Sequence, residues 1–224
     1  MDKYAIIVAG GSGTRMGAAM PKQFLLLDGE PMIMRTLRAF DEFSKIILVL
    51  PRDHIGYWRQ LCHEYGFCLP HEIVPGGSER FYSVKNALDI LKGNGLVAIH
   101  DGVRPFVDKS VIGKACEVAM KFHAAVPVVP IVDSLRKLPD DGMASFSVNR
   151  KGMFAVQTPQ VFDLQMLKAA YECEWSAGFT DDASVFEASG NKVELSEGSR
   201  FNFKITTAED LQLAEALINA KIVF

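Results

Sequence analysis

Long apolar runs are missing from this 224-residue chain. The longest, residues 124–132, holds Pro127 and Pro130 and is too short to cross a bilayer. The apolar stretch at 4–9 meets glycines at once and then Arg15 and Lys22, a layout unlike that of a signal peptide. The cytoplasm is therefore the expected compartment. No sign of charge dominates either: 24 Lys and Arg stand against 27 Asp and Glu, a net charge of −3. That excludes the basic excess by which proteins hold nucleic acids or anionic membrane surfaces.

Cysteine is scarce, and no pair forms C-x-x-C. Cys62, Cys68, Cys116 and Cys173 read as reduced, mostly buried thiols rather than a disulfide framework. Cys62, His63, Cys68 and His71 lie within ten residues, but their spacing fits no common zinc motif and reads as a helix end with a loop. Three nucleotide signatures are also absent. There is no Walker A run. A dinucleotide fingerprint begun at Gly11 and Gly13 would need its third glycine where Met16 stands. Neither Asp140-Asp141 nor Asp181-Asp182 makes the D-x-D of a nucleotide-sugar transferase.

What is present is a regular alternation. Strands are expected at 4–9, 45–50, 72–74, 96–100, 124–129 and 192–195, and helices at 31–40, 55–65, 78–91, 111–122, 164–176 and 182–189. A last helix starts near Thr206 and Thr207, whose spacing to Glu209 and Asp210 fits a capping box. Leu211, Leu213, Ala214 and Leu217 would form its buried face. Residues 131–155 are polar and carry Pro139 and the turn Asp140-Asp141-Gly142, which reads as a projecting β-hairpin arm. The fold expected is one α/β domain over residues 1–224, Rossmann-like, with a mainly parallel sheet and the arm. In such sheets ligands sit beyond the carboxyl ends of strands.

Four segments fall there, 10–22, 75–80, 100–104 and 157–160, and the first three carry legible chemistry. Ala9-Gly10-Gly11-Ser12-Gly13-Thr14-Arg15 with Lys22 places backbone N–H groups and two cations where a polyphosphate could bind. Asp101 in His100-Asp101-Gly102 could hold Mg²⁺, or simply cap the next turn; His100 reads as packed or hydrogen-bonded. Gly76-Gly77 followed by Ser83 permits close approach to a base or ribose, with Ser78 as a possible helix N-cap.

Together the runs A-G-G-x-G-x-R-M-G, P-K-Q-F, P-G-G-S-E-R-x-x-S-V-x-N-A-L, H-D-G-V-R-P, V-Q-T-P-Q-V-F, T-D-D-A-S and N-x-K-I-T resemble the cytidylyltransferases. The nearest resemblance is to those of 2-C-methyl-D-erythritol 4-phosphate in non-mevalonate isoprenoid synthesis. The resemblance implies joining of CTP to a polyol phosphate with release of pyrophosphate. Arg15 and Lys22 would stabilise the reacting α-phosphate. Ala9, Gly10, Gly11 and Gly13 would wrap the triphosphate. Gly77, Ser83 and Asp101 would hold the nucleoside, with Asp101 also near Mg²⁺. Arg104, Arg150, Thr158, Thr180 and Lys204 would hold the sugar phosphate, Arg150 and Lys204 with catalytic roles. Arg150 on the arm would complete the neighbour's site in a homodimer.

Gly10, Gly102-Val103 and Asn149 depart from the family's usual Ala, Ala-Ala and Asp. The first two lean toward the sister cytidylyltransferases of ribitol or ribulose 5-phosphate. A dinucleotide-dependent oxidoreductase and an inactive nucleotide-binding regulator are readings from other classes. The missing third glycine speaks against the first. The presence of Arg15, Lys22, Arg150 and Lys204 speaks against the second.

Overall fold

The computed structural model describes residues 1–10, 21–140 and 142–222. In chain order the strands are β1 (Lys3–Val8), β2 (Leu26–Leu27), β3 (Glu30–Pro31), β4 (Lys45–Leu50), β5 (Glu72–Pro75) and β6 (Leu96–Asp101). Then come β7 (Ala124–Pro130), β8 (Leu135–Lys137), β9 (Phe146–Val148), β10 (Phe154–Val156), β11 (Gln160–Asp163) and β12 (Glu194–Glu197). The helices are α1 (Met32–Arg38), α2 (Ile55–Glu64), α3 (Arg80–Ile90), α4 (Lys109–Phe122), α5 (Leu164–Ala170), α6 (Asp182–Ala188) and α7 (Ala208–Asn219).

Eight strands form the central sheet. β6, β1, β4 and β5 lie side by side and parallel, with Ile6 opposite both Ile47 and Ile99. Such strands are buried on both faces, which is why KIILVL and LVAIHD run almost without polar residues. Beyond β6 the sheet departs from the expected alternation. β11 enters antiparallel between β6 and β7, and β10 continues along the same edge of β7. β12 pairs parallel on the other edge of β7. The sheet is thus an α/β sheet with a mainly parallel core and an antiparallel insertion.

Two apolar layers cover the two faces. One contains Ile33, Met34 and Leu37 from α1 and Phe40 just beyond it, with Trp58, Val111 and Ala115, and the other contains Phe81, Val84, Leu88 and Leu91 with Leu167 and Phe186. Truncating a fully buried member such as Leu37 to Ala would cost about 2–5 kcal/mol. Helix ends are fixed locally. Asp108 caps α4 by accepting from the Ser110 N–H, and His123 closes it in the left-handed region at φ 71°. Asp181 with Ser184, and Thr207 with Asp210, form capping boxes for α6 and α7.

Several expectations need correction. Helix α3 starts at Arg80 with Glu79 as its N-cap residue, and no side chain caps it; Ser78 remains in the preceding loop. Helix α5 stops at Ala170, six residues early, because residues 172–178 are exposed and offer no apolar face. Strand β12 is displaced to 194–197. In α7 only Ala214 is buried, and Leu213 is half exposed, since this helix packs on a small cluster with Leu27, Val103, Phe106 and Ile205 rather than on the sheet. Of the cysteines only Cys116 is buried, while Cys68 and Cys173 are exposed. His71 accepts from Trp58 Nε1 at 2.9 Å and its Nδ1 lies 2.8 Å from the Leu69 carbonyl, so both ring nitrogens are engaged.

The stretch expected as an arm contains a hairpin, but its last residues, 154 and 155, belong to β10 of the central sheet. β8 and β9 pair as a hairpin, with Leu135 opposite Val148, and form a small sheet separate from the central one. Among the described residues no helix is long and apolar enough to cross a membrane.

Candidate active site

Because β1, β4, β5 and β6 are parallel, their carboxyl ends share one rim. A cleft of about 410 Å³ opens there. Gly10 follows β1, Pro51 follows β4, Gly76, Gly77 and Ser83 follow β5, and Asp101 ends β6; Lys22 and Lys204 complete the wall. A second cleft of about 260 Å³ adjoins it, lined by Arg104, Gln157, Thr158, Gln160 and Thr180. Arg80, Asp101 and Lys204 line both.

Close backbone approach explains the glycines here. The Gly77 N–H donates to Ser83 Oγ at 3.0 Å, and a Cβ on Gly77 would meet Tyr82 Cβ at 2.3 Å. A Cβ on Gly102 would sit 2.9 Å from Ala9 Cβ and 3.3 Å from the Val8 carbonyl. Gly102 therefore marks tight packing between the ends of β1 and β6. Ala9 itself is buried; its N–H donates to Val49 and its carbonyl accepts from Gln23 Nε2 at 2.9 Å. Gln23 thereby ties the Lys22 segment to the end of β1.

Asp101 is the electrostatic centre. Arg104 Nε donates to its Oδ2 at 3.1 Å, and Lys204 Nζ lies 3.1 Å from the same oxygen. Burial alone would raise the Asp101 pKa. The charges of Lys204, Arg80 and Arg104 overturn that and hold the carboxyl well below the usual carboxylate range. The carboxylate is therefore charged at neutral pH, and three cations surround it.

Behind Asp101 runs a buried chain of hydrogen bonds. Its N–H donates to Thr158 Oγ1 at 3.1 Å, and Thr158 Oγ1 lies 3.0 Å from His100 Nδ1. His100 Nε2 lies 3.2 Å from the Arg104 carbonyl. A carbonyl can only accept, so Nε2 carries the proton and Nδ1 accepts from the Thr158 hydroxyl. Burial pushes the His100 pKa down to about 4, which keeps the ring neutral. Thr158 thus spends its hydroxyl on Asp101 and His100, although its residue lines the second cleft.

The polar wall continues through Asn202. Its Nδ2 donates to the Thr158 carbonyl at 2.7 Å, and its own carbonyl accepts from Arg104 Nη1 at 2.7 Å. Gln157 clasps Ser199 in both directions. These contacts link β11's entry to the segment carrying Lys204.

The structure brings together Gly10, Lys22, Gly77, Ser83, Asp101, Arg104, Thr158, Thr180 and Lys204. Gly11, Gly13 and Arg15 lie outside the described residues. Arg150 does not line either cleft of its own chain; it sits exposed on the arm, where Asn149 Oδ1 accepts from the Lys151 N–H, a bond that Asp could make equally. The sequence reading gave no role to Arg80, Gln157, Gln160 or Asn202. All four lay in quoted runs, Arg80 in P-G-G-S-E-R, Gln157 and Gln160 in V-Q-T-P-Q-V-F and Asn202 in N-x-K-I-T, but only the fold shows what their side chains hold.

Comparison with known proteins decides the family. The family model of IspD, 2-C-methyl-D-erythritol 4-phosphate cytidylyltransferase, matches residues 4–220. The chain belongs to this family. A 2-C-methyl-D-erythritol 4-phosphate cytidylyltransferase of Bacteroides fragilis is 52% identical, covering 97% of this chain and 100% of that protein. The crystal structure of the Thermus thermophilus 2-C-methyl-D-erythritol 4-phosphate cytidylyltransferase matches with a TM-score of 0.80 at 32% identity, over 98% of this chain and 100% of that one. That of the Anaerococcus prevotii 4-diphosphocytidyl-2C-methyl-D-erythritol synthase gives 0.81 at 30%, over 97% and 98%. As a member of this family the chain is an enzyme of the nucleotidyltransferase class. The matches favour the methylerythritol branch over the ribitol one toward which Gly10 and Gly102 leaned.

Proposed function

We propose that this chain transfers the cytidylyl group of CTP to 2-C-methyl-D-erythritol 4-phosphate, releasing pyrophosphate and forming 4-diphosphocytidyl-2-C-methyl-D-erythritol. The observation that carries this, beside family membership, is the pair of adjoining clefts with Arg80, Asp101 and Lys204 on their common wall. Two anionic substrates need separate seats and a shared boundary at which they react.

The chemistry suits such a wall. A phosphate oxygen of the polyol attacks the α-phosphorus in line, and pyrophosphate leaves. That oxygen is already deprotonated, so no general base or protein nucleophile is required. The barrier lies in bringing two polyanions together and aligning them. Cations that meet the charge growing on the α-phosphate lower it. In this reading Lys22 and Arg15 take that role, while Gly10, Gly11 and Gly13 cradle the triphosphate and Gly77 and Ser83 seat the base; Ala9, buried with both backbone groups engaged, supports Gly10 from behind rather than touching the nucleotide. Arg104, Thr180 and Lys204 face the polyol phosphate, and Thr158 acts by fixing Asp101.

Asp101 suits Mg²⁺ as a single protein ligand. Its bond from Arg104 and its ion pair with Lys204 both end on Oδ2, which leaves Oδ1 as a hard oxygen donor. Among the described residues no group of three or more His, Cys, Asp or Glu is arranged to hold a metal, so the remaining ligands would be phosphate oxygens and water. Bound there, the ion would neutralise phosphate charge.

A homodimer through the arm is part of the proposal. Leu138 and Met143 on the arm, and Phe146 in β9, are large exposed apolar side chains, which favours a covered arm. Arg150 would then complete the partner's second cleft. One continuous central sheet supports a single nucleotidyltransferase domain over 1–224, and the cytoplasm is its proposed compartment.

Pyrophosphate release tests the reading. Purified protein with CTP and Mg²⁺ is expected to release it with 2-C-methyl-D-erythritol 4-phosphate. Release with ribitol 5-phosphate alone would overturn the substrate assignment.

A further inference from the structure

Arg80 begins α3 and ends between the two clefts, yet none of the roles above uses it. Its guanidinium forks onto Asp182, Nη1 to Oδ1 at 2.9 Å and Nη2 to Oδ2 at 2.5 Å. Asp182 is fully buried, and the Tyr171 hydroxyl, also buried, donates to its Oδ1 at 2.7 Å. The Tyr171 ring stacks on Phe81, the residue next to Arg80, with centroids 4.8 Å apart. The arrangement is held from behind and from the side.

Stability does not explain it. A buried ion pair recovers little beyond its desolvation cost, and apolar packing of the same shape would serve as well or better. The unused donors are more telling. The fork spends two of the five N–H groups of a guanidinium. Among the described residues Arg80 makes no other side-chain hydrogen bond, which leaves the edge formed by Nε and Nη2 in the same plane. That edge is the one that grips a phosphate in two places. About a third of the side chain remains exposed, on the wall that both clefts share.

We propose that Arg80 is a further substrate-binding residue, which takes the phosphate of the polyol on its Nε edge, and that Asp182, oriented by Tyr171, is a positioning residue that aims it. The phosphate assignment follows from place: the second cleft also presents Arg104 and Lys204, so a dianion there meets three cations. This inference rests on the proposed cytidylyl transfer.

The test is steady-state kinetics of pyrophosphate release on the full chain. Wild-type release with CTP and 2-C-methyl-D-erythritol 4-phosphate comes first, so that failure of the reaction itself is told apart from failure of the Arg80 role. Arg80→Lys keeps the charge and loses the planar fork. It is expected to raise KM for the polyol phosphate about tenfold or more while KM for CTP stays within about twofold. Tyr171→Phe removes only the hydroxyl that orients Asp182. It is expected to raise the same KM by about threefold with unchanged KM for CTP, and it keeps the test open if Arg80→Lys fails to fold. An unchanged KM for the polyol phosphate in both variants, or an equal rise for both substrates, would overturn the proposal.

Discussion

Lowering the pH through the range in which His100 titrates should unfasten the site from behind. His100 is fully buried and neutral, with its pKa pushed by burial from 6.5 down to about 4. The neighbouring Asp101 carboxylate favours the charged ring, and Arg104 opposes it, but burial prevails. The folded state therefore binds this proton less readily than the unfolded chain. The associated stability is fully present above pH 6.5 and is lost as pH falls toward 4. The gap between the two values corresponds to about 3 kcal/mol, with a slope of at most about 1.4 kcal/mol per pH unit. Protonation also makes Nδ1 a donor, so Thr158 can no longer give its hydroxyl proton to the ring. The hydroxyl must then accept from the ring and turn its own proton elsewhere, so the chain behind Asp101 has to rearrange.

Urea unfolding followed by circular dichroism, repeated at several pH values between about 7 and 4, measures this. His100→Gln supplies the control. Its amide can still donate to the Arg104 carbonyl, but it cannot take up a proton in this range. The variant is expected to be less stable near neutrality by about 1–3 kcal/mol, for the imperfect replacement of a buried hydrogen-bonded ring, and to lose the slope. An equal slope in wild type and variant would refute the reasoning, because another group would then carry the titration.

Lys22→Ala should leave the melting temperature within a few degrees and cut turnover at least about tenfold, since a charge-assisted contact to the transition state is lost; near-normal turnover counts against its role. Gly77→Ala should raise KM for CTP, because its Cβ would overlap Tyr82 at 2.3 Å and force the loop to move; unchanged CTP kinetics would show that this loop does not seat the nucleotide. Mixing inactive Arg150→Ala and Lys22→Ala chains under subunit exchange should restore activity to about a quarter of wild type, since half of the dimers then hold one intact site. No recovery in exchanged dimers would remove Arg150 from the partner's site. Chelation of divalent cations should abolish pyrophosphate release and leave the circular dichroism spectrum unchanged; release that persists would exclude a required Mg²⁺.

The parallel half of the sheet was legible because each strand is a dense apolar run ending at Pro or Gly. Residues 45–50 were read with the bounds the structure has. The antiparallel half was less so. β11 was not among the expected strands, since Gln160-Val161-Phe162-Asp163 is short and its two ends are polar. Both polar ends have structural reasons: Gln160 donates to Asp181 at 2.7 Å and accepts from the Ala183 N–H at 2.9 Å, and Asp163 caps α5. The face of α7 misled in the opposite way. Leu213 has helical spacing from its neighbours, but the helix covers only a small cluster and leaves that side in solvent.

From the sequence alone came the strand–helix order, the glycine-lined loops and the kind of chemistry, cations gathered for phosphate, despite a net charge of −3. Those properties are written in residues adjacent along the chain. The tertiary structure decided which cations meet. Arg80 pairs with Asp182 across 102 positions, and Lys204 reaches Asp101 from the far end of the chain. Such meetings depend on strand order and direction, which are set by packing between segments that no local pattern connects. The same long-range packing put His100 and Thr158 behind Asp101, and so turned a residue that could have been a simple turn cap into the charged centre of two clefts.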